Sequence, residues 1–288
     1  MNKLLLRVVN LFGYFIAKIL TVVDFIFRKK VSLFLKLAIE KYMSTTITNN
    51  GIIFDATEMS NYYRGRDLLK REPDTLYWID NYMNDNDVFY DVGANIGTYS
   101  LYAANKGGLK IFAFEPESSN YYYLNKNIYL NGMDDRILAL NVALNNEDKL
   151  SYLRLIKFIV GGTEINFDEK LDDKRRKFTP VYNQGVIGYS LDSLILKYNL
   201  PCPNHIKIDV GGDDLKIFEG MRETLLNENM KTLMFELDVE LDERIGIADE
   251  LIKLGYELIK DDSNLRNIEY EKTKIYNHFF RKITSDEQ

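Results

Sequence analysis

Thiol and imidazole are scarce in this chain of 288 residues, which has one cysteine, Cys202, and two histidines, His205 and His278. A single thiol excludes an intrachain disulfide and a cysteine-rich zinc site, and two histidines so far apart exclude an HExxH metalloprotease. A reducing compartment, the cytoplasm, is the expectation. A Ser/His/Asp hydrolase would need one of these histidines together with a G-x-S-x-G turn, and the sequence has no such turn. Proline is rare as well, at five residues, and none falls between Lys3 and Glu40. An excess of positive charge is also missing. The net charge of −6 argues against a protein that grips nucleic acid by neutralising its phosphates.

What is present suits a globular α/β protein, since 46% of the residues are hydrophobic and 28% charged, enough for a full core. Charge is unevenly spread. Residues 1–50 hold eight basic side chains against two acidic ones, so a basic N-terminal piece precedes an acidic body. At 100° per residue, the polar side chains from Lys3 to Glu40 fall within an arc of roughly 160°, with Lys30 the main exception. The other side of this once-broken or continuous helix is Leu, Val, Ile and Phe. Residues 4–27 are long enough to span a bilayer, but Arg7, Lys18 and Asp24 disfavour spanning, because a charge near the bilayer centre costs about 2.5–3.5 kcal/mol. The expectation for residues 1–44 is an amphipathic helix that lies on a membrane surface through residues 3–40, or packs on its own domain or on a second subunit of an oligomer.

Residues 45–86 read as a mixed, polar lead-in with a short helix around Tyr77–Met83 that covers one edge of the core. From 87 to 288 strands alternate with helices. Strands are expected at Val88–Asp91, Lys110–Phe114, Ile137–Leu144, His205–Val210 and Lys231–Leu237, with helices at Thr98–Asn105, Ser118–Asn131, Asp213–Leu226 and near Ile247–Leu254. That order implies a doubly wound, mostly parallel sheet, and Glu257–Ile259 with Asn277–Ile283 would close its far edge through an antiparallel strand. An insertion at 151–189, containing Gly161-Gly162 and the charge run Glu169–Lys177, lies outside the strand ends, where it would wall a pocket or form a plain surface loop.

The segment Val88-Phe-Tyr-Asp-Val-Gly-Ala-Asn-Ile-Gly97 is a strand that ends in an acid and turns through glycine into a helix. Glycines allow close approach to the backbone, and the helix start offers unpaired N–H groups. A dinucleotide fingerprint needs glycines at i, i+2 and i+5, where this chain has Gly93, Asn95 and Thr98, so NAD is disfavoured. The second strand ends in Glu115-Pro116, and a carboxylate there can accept hydrogen bonds from two ribose hydroxyls. Asp91 and Glu115, on consecutive strands, suit a cationic nucleoside such as S-adenosylmethionine. The candidate cofactor set is Asp91, Gly93, Ala94, Asn95, Gly97, Glu115, Pro116 and Asn141. In the fourth strand Lys207 and Asp209 share one side of a buried strand, and Glu236 repeats the anomaly in its neighbour. His205 begins that strand at the end away from the turn and reads as structural.

At these residues the sequence resembles the FkbM family of S-adenosylmethionine-dependent O-methyltransferases. The resemblance runs from about Asp87 to Tyr256 through Asp91-Val-Gly-Ala-Asn-Ile-Gly97, Phe114-Glu-Pro116, Asn127 with Asn131, Ser190-Leu-Asp192, and Ile206-Lys-Ile-Asp-Val210 with Gly212 and Gly220. It implies the class I, Rossmann-like methyltransferase fold. It also implies methyl transfer to a hydroxyl on a small-molecule or glycan acceptor, commonly a sugar of a glycolipid, polysaccharide or glycosylated natural product. Asp209 is the candidate base or metal ligand, Glu236 its second ligand or orienter, and Lys207 their electrostatic partner. The family usually has Asp-Val-Glu-Gly where this chain has Asp209-Val-Gly-Gly212, so Gly211 predicts weakened or altered dependence on Mg²⁺, with Asp213 and Asp214 as the further candidate ligands. The alternatives are a nicotinamide-dependent sugar oxidoreductase and a non-enzymatic binder of cofactor or glycan.

Overall fold

The computed structural model describes residues 3–28, 30–42, 45–162, 165–170, 176–238, 242–259 and 275–283. The chain forms two units, divided between Thr45 and Thr46. The first is a pair of helices, α1 (Lys3–Phe27) and α2 (Val31–Tyr42), broken at Arg28, whose φ is +49°. Asp24 of α1 accepts both the backbone N–H and the hydroxyl of Ser32, so the acid that interrupts the apolar run caps the next helix. Residues Arg7–Phe27 are long and apolar enough to cross a membrane by length and composition, with a mean hydropathy of 1.7, and most of their large apolar side chains are exposed.

The second unit opens with a hairpin, β1 (Thr46–Asn49) and β2 (Ile52–Asp55), followed by the helices α3 (Met59–Arg66), α4 (Leu68–Arg71) and α5 (Pro73–Tyr82). The expected helix near 77–83 therefore starts earlier, at Pro73, where the ring's fixed φ suits a first turn. Then come β3 (Val88–Val92), α6 (Thr98–Lys106), β4 (Lys110–Phe114), α7 (Ser118–Asn131), β5 (Ile137–Leu140), β6 (Ala143–Asn145), β7 (Lys149–Leu155), β8 (Ile165–Phe167) and β9 (Tyr182–Ser190). The chain continues through α8 (Leu191–Tyr198), β10 (His205–Ile208), α9 (Asp214–Glu219), α10 (Arg222–Leu226), β11 (Thr232–Asp238), α11 (Asp242–Lys253), β12 (Tyr256–Leu258) and β13 (Ile275–Lys282).

Seven strands form the main sheet in the order β12-β13-β11-β10-β3-β4-β5, and β13 runs antiparallel to both of its neighbours. The doubly wound α/β fold expected from the sequence is therefore the fold observed. One face buries Phe89, Ile111, Ala113 and Met234 with Trp78 of α5 and Leu101 of α6. The other buries Val92, Phe114, Ile208 and Phe235 with α8, α9 and α11. Strand order reverses between β3 and β10, which opens a crevice at their carboxyl ends.

Two expected elements are divided. The strand expected over Ile137–Leu144 is two strands, because after Leu140 the chain leaves the main sheet and β6 pairs in parallel with β9 in a separate sheet, β6-β9-β7-β8. Continuous apolarity concealed the change of sheet. The helix expected over Asp213–Leu226 is broken at Gly220, where a Cβ would stand 2.0 Å from the carbonyl oxygen of Asn145. The insertion is thus the outer part of the second sheet, and residues 171–175 of its charge run lie outside the described residues.

Candidate functional site

The glycine turn follows from how closely β3 and β10 end together. A Cβ on Gly93, whose φ is +82°, would meet the Asp209 carbonyl oxygen at 2.0 Å, so only glycine fits. The N–H groups of Gly93 and Ala94 both donate to Phe114 O at 3.0 Å, joining the turn to the end of β4. Gly97 precedes the first residue of α6. Asn95, at φ +53°, donates its N–H to Glu115 Oε2 at 2.7 Å, and Glu117 N–H donates to Oε1 at 2.8 Å. Burial raises the Glu115 pKa to about 7 against the pull of these two N–H groups. Asn141 donates to the carbonyls of Glu115 and Pro116 at 2.9 and 3.1 Å, and so fixes the turn that presents the carboxylate.

On the β10 side, the sheet register pairs Lys207 with Asp91. Lys207 is 1% exposed. Its ammonium donates to Asp209 Oδ2 at 2.8 Å, lies 3.9 Å from Asp91 Oδ1, and sits 5.2 Å from the Tyr99 ring centroid. Burial opposes its charge, yet Asp209, Asp91 and Glu72 together hold Lys207 above the usual lysine range. Asp91 Oδ2 accepts from Ser100 Oγ at 2.6 Å, whereas Oδ1 is buried with no hydrogen-bond donor among the described residues. Burial raises the Asp91 pKa, and Lys207 and Ser100 offset this only in part. For Asp209, burial is outweighed by Lys207, Glu236 and Arg64, which hold the carboxyl below the usual range. The charge of Asp209, and then burial, push Glu236 well above it. One ionised and one protonated carboxyl in contact form a pair able to pass a proton between them.

Three members of this cluster were not predicted. Glu72, 5% exposed at the start of α5, has its pKa raised by burial and by Asp209, and it accepts from Thr75 Oγ1 at 3.1 Å. Tyr99 comes from α6, and Arg64 from α3 feels the charges of Asp209, Tyr99 and Glu72. For Glu72 and Arg64 the sequence carries no signal beyond the charged run Arg64–Glu72 just before a proline-started helix.

Asp213 and Asp214 do not join this group. Asp213 Oδ2 accepts the Phe167 N–H at 2.9 Å and Oδ1 lies 3.9 Å from Lys216, while Asp214 is buried in the first turn of α9. Among the described residues, no three acidic, histidine or cysteine side chains are spaced to hold a metal ion. The ammonium of Lys207 already stands between Asp91 and Asp209, where a cation would otherwise go, so the residues do not fit Mg²⁺.

His205 lies at the opposite end of β10. Its ring meets Thr232 Oγ1 at 2.7 Å and Asp87 Oδ2 at 3.0 Å, and burial lowers its pKa to about 4.

Comparison with known proteins finds methyltransferases. The hexuronic acid methyltransferase AglP of Haloferax volcanii is 24% identical over 227 residues, which cover 77% of this chain and 86% of the relative. The methyltransferase sdnD of Sordaria araneosa is 25% identical over 245 residues, covering 75% and 92%. The crystal structure of an FkbM methyltransferase from Methylobacillus flagellatus superposes with a TM-score of 0.48 at 14% identity, over 78% of this chain and 51% of that one, so the chain spans about half of that protein. The family model described as the methyltransferase FkbM domain matches residues 91–258, more than half of the sequence, and on that match the chain belongs to the FkbM methyltransferases.

Proposed function

We propose that the protein is an S-adenosylmethionine-dependent O-methyltransferase acting on a hydroxyl of a sugar in a glycolipid, polysaccharide or glycosylated natural product. The observation that carries this reading is the pair of buried carboxyls that flank the Gly93–Gly97 turn, Asp91 just before it on β3 and Glu115 bonded to its Asn95 N–H. Asp91 has an oxygen without a hydrogen-bond donor among the described residues, and Glu115 is fixed by backbone N–H groups that leave it lone pairs to accept ribose hydroxyls. The hexuronic acid named for the Haloferax relative supports a sugar acceptor.

The cofactor supplies an electrophilic methyl group on a sulfonium. The chain's own task is to bring an acceptor oxygen in line with that methyl and to take its proton. Asp209 would accept the proton of the acceptor hydroxyl whose oxygen receives the methyl. Lys207 keeps Asp209 ionised until then, and Glu236 orients it. Calorimetry tests the cofactor assignment. Glu115→Ala should weaken S-adenosylmethionine binding by about 1.5–3 kcal/mol for each lost charge-assisted hydrogen bond, and unchanged affinity would sink the assignment.

The reading includes a cytoplasmic protein that rests on the inner face of the membrane through α1 and α2. Exposed Phe12, Phe15, Phe25 and Leu4 on α1, together with the basic excess of residues 1–50, support it. Anionic liposomes should sediment the full chain and release it as salt is raised, and a chain beginning at Thr45 should stay in solution. Sedimentation that resists salt and alkaline extraction would instead indicate a spanning helix.

A further inference from the structure

Arg64 is a cation in search of an anion. It sits half-buried on α3, and burial is the largest influence drawing its pKa below the usual arginine range, with the nearby charge of Arg71 adding to it. Of its five N–H donors, one has a partner among the described residues, Nη2 to Gly161 O at 2.8 Å. No carboxylate among the described residues lies within ion-pair distance of it. The charge it feels from Asp209 acts through space.

Its location gives this shortage a meaning. Gly161 N–H donates to Asn120 Oδ1 at 2.7 Å, and Gly162 O accepts from Asn120 Nδ2 and from Asn95 Nδ2, each at 3.3 Å. The turn that Arg64 holds therefore lies against Asn95 of the glycine turn, while the guanidinium itself is within electrostatic reach of Asp209. Arg64 is thus linked to both halves of the site, to the glycine turn through Gly161–Gly162 and to Asp209 by charge, and it lies outside the segment matched to the FkbM family.

We infer that Arg64 is a carboxylate-binding residue of this site, its planar fork receiving the carboxylate of an acidic sugar acceptor or that of the cofactor's amino-acid end. The inference rests on the methyltransferase reading, and the two sources of carboxylate can be told apart by binding alone.

The experiment is calorimetry on the full chain and on Arg64→Gln, which removes the charge and the fork and keeps a shorter amide. Four probes are used: S-adenosylhomocysteine, methylthioadenosine (which lacks the amino-acid end), methyl β-D-glucuronide and methyl β-D-glucoside. If the acceptor supplies the anion, the variant binds the glucuronide at least tenfold more weakly, and its affinities for the glucoside and for S-adenosylhomocysteine stay within twofold. If the cofactor supplies it, S-adenosylhomocysteine weakens at least tenfold and methylthioadenosine does not. Arg64→Lys, which keeps the charge and loses the fork, falls between wild type and Arg64→Gln in whichever arm responds. Equal weakening of S-adenosylhomocysteine and methylthioadenosine means that Arg64 only props the Gly161 turn, and it overturns the inference, as does a variant that binds all four probes like wild type. A wild-type chain that binds neither nucleoside defeats the methyltransferase reading instead, and the glucuronide arm still decides the role of Arg64.

Discussion

The two ends of β10 are both buried and polar, yet they are built differently. At the amino end, His205 is neutral between Thr232 and Asp87, Asp87 also meets Lys231 at 2.6 Å, and Trp78 Nε1 donates to Thr232 Oγ1 at 2.9 Å. Every group there has found a partner in the protein. At the carboxyl end, Lys207 serves two acids, Asp91 keeps an oxygen without a donor among the described residues, and Glu72 and Glu236 are forced toward protonation. Closed networks contribute stability, and open ones hold strain that a ligand can relieve.

The sharpest way to break this contrast is Asp209→Asn. It should lower methyl transfer by about 10²–10⁴-fold, the usual range for a lost general base, and cost less in urea unfolding than the substitution at the other end, because Lys207 keeps Asp91 and the amide oxygen still accepts from it. Wild-type turnover in that variant would move the base elsewhere. At the other end Asp87→Ala should do the reverse. It strands a buried imidazole N–H and should cost about 2–4 kcal/mol in denaturant unfolding, with cofactor affinity intact. If both substitutions lower stability equally, the two ends are not distinct.

The difference should also appear in the pH dependence of stability. The folded pKa of His205, about 4, lies below its ordinary 6.5, so its contribution is present above pH 6.5 and is lost as the pH falls toward 4. The folded pKa of Glu115, about 7, lies above its ordinary 4.5, so its contribution is complete below 4.5 and is lost as the pH rises through 7. Glu115→Gln should therefore gain stability relative to wild type between about pH 5 and pH 8, an effect smaller than either of the others. A difference that stays flat with pH would remove Glu115 from the list of strained groups.

Much of the site could be read from the sequence because its parts are local. Asp91, the glycine turn and Glu115 follow from strand–turn–helix succession, and Lys207, Asp209 and Glu236 stand out as charges in strands otherwise apolar. Even Asn127 and Asn131, quoted as part of a resemblance, prove to have a physical task. One helical turn apart on α7, they hydrogen-bond the backbone of β2 at Asp55 and Ile53 as a neighbouring strand would. Arg64 and Glu72 escaped because the fold brings them in from helices with no chemical motif of their own. Asp213 misled because an acid after Asp209 resembles a ligand in sequence, although its carboxylate meets the backbone of β8.

That bond from Asp213 to Phe167, together with the close backbone approach of Gly220 to Asn145, has a kinetic consequence. The four-stranded sheet is fastened at two points to α9, which directly follows the segment carrying Asp209. It cannot swing as a separate flap without dislodging α9. The amides of β8 and β9 should exchange with solvent together with those of β10, in one opening event with one free energy, the second sheet and the proposed base sharing a single foldon.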